Sequence, residues 1–411
     1  MGHADTLTVQ RLLENFTSHN GQHTLAEKTL IGSLEVDRFT NEFWTARQRQ
    51  ASSIHEISYR ACFKPQLPRF FIESLTRPGD IVYDPFSGRG TTVIEAGLCG
   101  RQVIANDTNP LSGILTMPRF FPPELDEVAE RLAGIPRDGE RAEIDLSMFY
   151  HPDTEREIVA MREYLHKRED EGTKDTTDGW IAMVATNRLT GHSSGFFSVY
   201  TLPPNQAVSP ESQARINQKR SQVPGYRDTH ALILRKTKSL LSRVTPLEKS
   251  NLSGAGKTAR FLCGDARSMP GILDASVQLT VTSPPFLDIV QYRADNWLRC
   301  WFNGLDGEAI GKTITMARTV RDWEAVMGDV FFELFRITRP GGYVAFEVGE
   351  VRKKTVRLDE HVVPLGVNAG FSCVGICINQ QTFTKTANIW GVDNMLSGTN
   401  TNRIVLFRKN S

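Results

Sequence analysis

The sequence predicts an α/β fold: an open sheet flanked by helices, interrupted by one long insertion and then completed. Three observations carry this. Two short apolar runs, Asp80-Ile81-Val82-Tyr83-Asp84 and Gln102-Val103-Ile104-Ala105-Asn106-Asp107, each end in an acid and enclose a helix-like stretch, which makes a βαβ unit. Strand-like runs return only near residue 260. Between them the chain is helical in pattern and largely polar.

Element by element, residues 1–54 are polar and mixed, with helical-looking stretches. Phe70–Leu75 reads as a helix that stops before Pro78-Gly79. A Gly-containing loop follows the first strand, then a short helix from Thr91 to Cys99 closed by Gly100. From about Arg119 the insertion carries an acidic helical stretch (Thr154 to Glu171), a Gly/Ser/Pro-rich centre (Thr190 to Pro210) and a basic stretch. Alternation resumes at Arg260–Asp265, Val277–Thr282 and Gly342–Val348, the last fed by the turn Arg339-Pro340-Gly341-Gly342. Two late apolar runs, Phe371–Ile378 and Arg403–Arg408, flank a long polar loop and predict an antiparallel hairpin. The expected organisation is therefore an extension (1–54), a first half (55–118), an insertion (119–258) and a second half (259–411).

Composition narrows the class. With 411 residues, 40% hydrophobic and 23% charged, the chain is neither disordered nor fibrous. It has no apolar run long enough for a bilayer and no signal-peptide pattern at its start, so a cytoplasmic protein is expected. Six cysteines at 62, 99, 263, 300, 373 and 377 form no CxxC pair, and no metal site is expected. Net charge is +1, yet between 211 and 260 eleven Lys/Arg stand against three Asp/Glu, a local excess of +8. A polyanion partner would be met there.

Chemistry concentrates in two loops. Asp84-Pro85-Phe86-Ser87-Gly88-Arg89-Gly90-Thr91-Thr92 lies between a strand and a helix, where glycines permit a tight turn and free helix N–H groups face a ligand. It is neither a complete GxGxxG nor a Walker loop. Asp107, at the end of the next strand, stands where ribose hydroxyls are bound. The second loop is Thr282-Ser283-Pro284-Pro285-Phe286. Two prolines remove two donors and leave the Ser283 hydroxyl and the Pro284 carbonyl as acceptors beside an aromatic plate, which suits a planar heterocycle bearing an amino group. Phe63-Lys64-Pro65-Gln66 and Gly264-Asp265-Ala266 are weaker signals. In isolation the first is a helix start and the second a common strand exit.

In this order, FKPQ, DPFSGRGTT, NDTNP, GDA, TSPPF and RPGG resemble the S-adenosylmethionine-dependent DNA methyltransferases that modify exocyclic amino groups. The resemblance covers roughly 55–118 and 259–411 and implies a Rossmann-like methyltransferase sheet. It implies that Phe63, Lys64, Pro65, Asp84, Pro85, Phe86, Ser87, Gly88, Gly90, Thr91, Thr92, Asp107, Asn109, Asp265 and Ala266 hold the cofactor. Ser283, Pro284, Pro285 and Phe286 would hold the target base. A serine before Pro-Pro in this family goes with cytosine N4, and Asp or Asn with adenine N6. The motif order is similar to the family's α arrangement, with one departure: GDA follows the insertion instead of preceding it.

The resemblance makes double-stranded DNA the partner and allows a cognate restriction endonuclease as a second. The expected reaction is direct transfer to an amino nitrogen of a base rotated out of the duplex, with no covalent enzyme intermediate. Arg235, Lys236, Lys238 and Arg243 are the candidates for phosphate contact. Gly191–Phe197 fits a base-reading loop and equally a surface loop over a buried Phe pair. Thr384–Trp390 could border the extruded base, whereas Trp297 and Trp301 read as core. Competing readings are an N6-adenine enzyme, an RNA or protein-glutamine methyltransferase, and a binding module without activity.

Overall fold

The computed structural model describes residues 6–45, 51–59, 62–202, 207–285, 292–314, 317, 319–351, 356–380 and 401–410. Helix α1 (Thr6–Glu14) leads into strands β1 (Leu25–Ile31) and β2 (Leu34–Asn41). Their two-residue turn, Gly32-Ser33, puts Gly32 at φ +59°. Then come α2 (Gln66–Leu75), β3 (Ile81–Asp84), α3 (Thr91–Leu98), β4 (Gln102–Asn106) and α4 (Leu111–Thr116). Six helices form the next stretch: α5 (Leu125–Ala133), α6 (Pro152–Asp170), α7 (Thr176–Arg188), α8 (Pro210–Arg220), α9 (Thr229–Leu241) and α10 (Pro246–Gly256). The sheet resumes with β5 (Arg260–Leu262) and β6 (Val277–Thr282), followed by α11 (Tyr292–Phe302), α12 (Gly307–Thr313) and α13 (Val320–Ile337). Strand β7 (Thr338–Val348), a small ribbon of β8 (Glu350–Val351) and β9 (Val356–Arg357), helix α14 (Leu358–Asn368), and strands β10 (Ser372–Gln380) and β11 (Thr401–Arg408) end the chain.

Nine strands make one sheet in the order β1-β2-β10-β11-β7-β6-β3-β4-β5. The five strands β5, β4, β3, β6 and β7 are mutually parallel, and β11 runs against both β7 and β10. The expected α/β sheet with its C-terminal antiparallel hairpin is thus present. Chain order reverses between β3 and β6, which opens a crevice beyond their carboxyl ends, the usual ligand position in such sheets. Strand alternation supplies both cores. Val344, Phe346 and Val348 face α13 and α14, whereas Tyr343 and Ala345 join the layer of α2 and α3.

The structure departs from the sequence reading at two places. The helical-looking extension contributes only α1 among the described residues before its hairpin; 25–41 instead widens the sheet, with β2 parallel to β10. Strand β1 is mostly exposed, so its sequence lacked an apolar stripe, and only the distant partner β10 gives the hairpin a place. Secondly, α10 packs on α3 and β4 and returns the chain to β5. The long helical stretch therefore sits within the β4-to-β5 crossover, and its last helix lies in the sheet's own layer. That placement accounts for Gly264-Asp265-Ala266 following the insertion.

Within the insertion, α7 and α9 pack around Trp180, whose indole N–H donates to Thr237 at 3.0 Å. Glu157 on α6 accepts from the Tyr226 hydroxyl and from both the backbone N–H and hydroxyl of Thr229. Helix α11 clamps the two parts together. Trp297 donates to the Val208 carbonyl at 3.1 Å, and Trp301 donates to Glu143 at 2.9 Å under the Arg162 guanidinium. Both tryptophans are partly buried against the core, near the expected role. No described helix is long and apolar enough to cross a membrane.

Candidate active site

Strand β3 carries Asp84 to the carboxyl edge, but the carboxylate does not face solvent. It is 2% exposed and accepts from the Thr282 hydroxyl at 2.6 Å and the Phe86 N–H at 3.2 Å. Thr92, at the start of α3, donates to the Val281 carbonyl at 3.0 Å. These bonds tie the first loop to the strand that ends at Ser283. Burial pushes the Asp84 carboxyl up to about 7, against the pull of Thr282 and the other donors.

The two loop glycines do different work. Gly88 and Gly90 have φ +52° and +74°, both left-handed. A side chain on Gly88 would meet Tyr59 at 3.5 Å, an ordinary contact, so Tyr59 covers that face without crowding it. On Gly90 it would strike Thr116 at 2.3 Å, so this glycine also permits close packing. The Gly88 N–H donates to Asp107 at 2.8 Å, and the Asn109 N–H donates to the other oxygen at 2.9 Å. Each carboxylate oxygen keeps a second lone pair for a ligand hydroxyl. Burial raises the Asp107 carboxyl above its usual range. Asn109 caps the start of α4 through the Leu111 N–H at 3.1 Å. Ser87 is buried, and its hydroxyl has no partner among the described residues.

The first motif's Phe63 is half-buried, Lys64 is exposed and Pro65 precedes α2. Asp265 lies at the rim, held by Arg267 at 2.5 Å, while Ala266 is buried. Pro85, Phe86, Thr108, Asp265, Ala266 and Pro285 line a single cleft of about 600 Å³, counted out to its open mouth. The two loops, nearly two hundred residues apart, share its wall.

At the second loop Ser283 is half-buried and Pro284 buried; Phe286 lies outside the described residues, as does Thr384–Trp390. The Ser283 hydroxyl lies beside the Glu347 carboxyl at the end of β7 and pulls its pKa down, and Asn402 on β11 donates to the same carboxyl at 3.1 Å. Glu347 is 7% exposed, and burial raises its carboxyl. Trp323 of α13, also in the cleft wall, donates its indole N–H to the Pro285 carbonyl at 3.1 Å.

Sequence reasoning missed four contributors. Glu347 was detectable as a charge inside the apolar run Gly342–Val348. Thr282 directly precedes the loop serine. Asn106 donates to both the Pro85 and Gly264 carbonyls, at 3.2 and 3.0 Å, joining the ends of β3 and β5. Fully buried Arg119 bonds the carbonyls of Arg89, Leu115 and Ile54, and nothing in its local sequence announces this.

The four basic candidates do not form one face. Arg235 and Lys238 are exposed on α9. Arg243 turns to Glu56 at 2.9 Å, and Lys236 is mostly buried with the same carboxylate at 3.8 Å. The loop at 191–197 folds around buried Phe196 and Phe197, leaving Ser193 and Ser194 exposed at its tip. The described residues contain no group of His, Cys, Asp and Glu arranged to hold a metal.

Residues 10–111 match the N6/N4 family described as DNA methylase. No curated protein matches the chain. Among solved structures, a proposed DNA modification methylase from Thermus thermophilus, complexed with S-adenosylmethionine, is similar at 23% identity over 36% of this chain and 54% of that one, with a TM-score of 0.24. The chain spans about half the length of the Thermus proteins it matches. A SAM-dependent methyltransferase from Methanosarcina mazei aligns over 83% of this chain and 97% of its own, at 10% identity and a TM-score of 0.32. An rRNA methyltransferase from Streptomyces viridochromogenes aligns over 87% and 90%, at 11% identity and 0.33.

Proposed function

We propose that this chain, whose residues 10–111 carry the DNA methylase signature, transfers a methyl group from S-adenosylmethionine to the exocyclic N4 of cytosine in DNA. The observation that supports the reading is that the two loops meet: Thr282 donates to Asp84, Thr92 donates to the Val281 carbonyl, and Pro85, Phe86 and Pro285 share one cleft wall.

The residues present suit the cofactor. Ser87 offers an orphaned buried hydroxyl, Gly88 a left-handed turn without a side chain, Asp107 spare lone pairs for ribose hydroxyls, and Asp265 an acceptor at the apolar cleft for an adenine amino group. When bound, the cofactor supplies an electrophilic methyl on a sulfonium. The chain's own residues do the rest. Cytosine N4 is a poor nucleophile because its lone pair is delocalised into the ring. With its O–H directed at Glu347, the Ser283 hydroxyl keeps its lone pairs free as acceptors for one amino N–H. The Pro284 carbonyl accepts the other, and the nitrogen is drawn toward tetrahedral geometry. Trp323 holds the neighbouring Pro285 carbonyl away from the base. Alignment in a dry, preorganised site supplies most of the acceleration.

The base must leave the duplex to reach this loop, at a cost of a few kcal/mol. The test is incubation of the protein and duplex DNA with labelled S-adenosylmethionine, followed by nucleoside mass spectrometry. N4-methylcytosine is expected, and Ser283→Ala should slow its formation by roughly 10²-fold or more while both ligands still bind. N6-methyladenine would change the base, and label in RNA or protein would defeat the DNA assignment.

A further inference from the structure

Arg188 ends α7, Arg299 lies on α11, and Lys236 lies on α9. The two arginines are 9% and 6% exposed, and the lysine side chain is 12% exposed. Buried cations are normally paired with carboxylates, because an unpaired one loses its hydration without return. Here the pairing is incomplete. Glu56 is shared between Lys236 and Arg243, and Asp295 faces Arg299. Arg188 has no carboxylate among the described residues. Its guanidinium bonds the Asn187 carbonyl at 3.2 Å and the Asn187 side chain at 2.6 Å, and lies 3.9 Å from the Phe196 ring centroid.

Among the described residues like-charged Arg299 acts on it, and Arg188 in turn depresses Lys236 to about 8, with burial the larger cause for both. The carboxyl end of α7 offsets roughly half a charge, which leaves the group strongly positive. A planar guanidinium fork held by stacking is suited to a tetrahedral oxyanion.

The position is close to the first loop. Asn187 and Arg299 both donate to the Ser58 carbonyl, at 3.0 and 3.3 Å. Arg299 lies 5.8 Å from the Tyr59 ring, and Tyr59 is the residue covering Gly88. Phe196, beneath Arg188, anchors the loop whose tip Ser193-Ser194 is exposed.

We propose that Arg188, Arg299 and Lys236 form a phosphate seat that takes a DNA backbone phosphate beside the extruded nucleotide; this rests on the DNA reading above. The four cations expected from sequence then divide: Arg235 and Lys238 meet DNA at the surface, while Lys236 works from inside the seat.

Arg188→Met, Lys236→Met and the charge-keeping Arg188→Lys, each in the full chain, test it. Inorganic phosphate at constant ionic strength should raise the melting temperature of the parent protein and of Arg188→Lys, and not that of Arg188→Met. Binding of a fluorescent mixed-sequence duplex should weaken about tenfold in either Met variant, and the log–log salt slope should fall by about 0.9. Affinity for S-adenosylmethionine, by calorimetry, should be unchanged. Cofactor affinity falling in step would give the seat to the cofactor's carboxylate and overturn the proposal. Unchanged phosphate stabilisation and DNA affinity in both Met variants would overturn it as well, leaving the cations structural. A parent protein that is stabilised by phosphate through Arg188 yet binds no DNA would sink the DNA reading while the anion seat stands.

Discussion

Asp84→Asn isolates one buried carboxyl of the candidate site. The carboxyl moves from 3.8 to about 7 on folding, chiefly through burial. Because the folded value lies above the unfolded one, its contribution to stability is complete below pH 3.8 and is lost as the pH rises through about 7. In that window the native state holds a proton that the unfolded state has released, and unfolding free energy falls by about 1.4 kcal/mol per pH unit, on the order of 4 kcal/mol in all. Asparagine keeps the shape and an oxygen for Thr282 but does not titrate. Urea unfolding at pH 5, 6, 7 and 8 should show the variant gaining about 2–3 kcal/mol on the parent between pH 5 and 7, then no more above pH 7.5. Groups such as buried His55 titrate in both proteins and cancel. Parallel stability curves would refute the reasoning, since Asp84 would then be ionised in the folded chain throughout.

Glu347→Gln leaves the Ser283 hydroxyl a neutral acceptor in place of a charged one, and kcat should fall about tenfold with cofactor affinity unchanged. An unaltered kcat would show that Ser283 works without Glu347. Gly90→Ala should cost roughly 3 kcal/mol through its contact with Thr116 and its left-handed φ, whereas Gly88→Ala should cost only about 1 from φ; thermal unfolding compares them. Reversing charge at exposed Arg235 and Lys238 together should weaken duplex binding and flatten its salt dependence, read by anisotropy across a salt series.

The strand-end acids, the two loops and the late hairpin were legible because each is a local pattern: an apolar run, a turn residue, an acid at a fixed offset. The same locality explains the failures. β1 and β2 lacked the stripe that marks a buried strand, and their place depends on β10, more than three hundred residues away. Lys236 read as surface charge because Glu56, beside which it is mostly buried, is remote in sequence.

By itself, then, the chain's order of residues determined the α/β class and marked the two candidate loops, since backbone preference and side-chain type are encoded within a few neighbours. Only the folded molecule decided that Asp84 binds Thr282 and not solvent, that Glu347 is buried where Asn402 reaches it, and that Arg188 and Arg299 are buried. Those outcomes depend on burial and on charges brought together from distant segments, and burial is a property of the assembled sheet and helices that no short window of sequence contains.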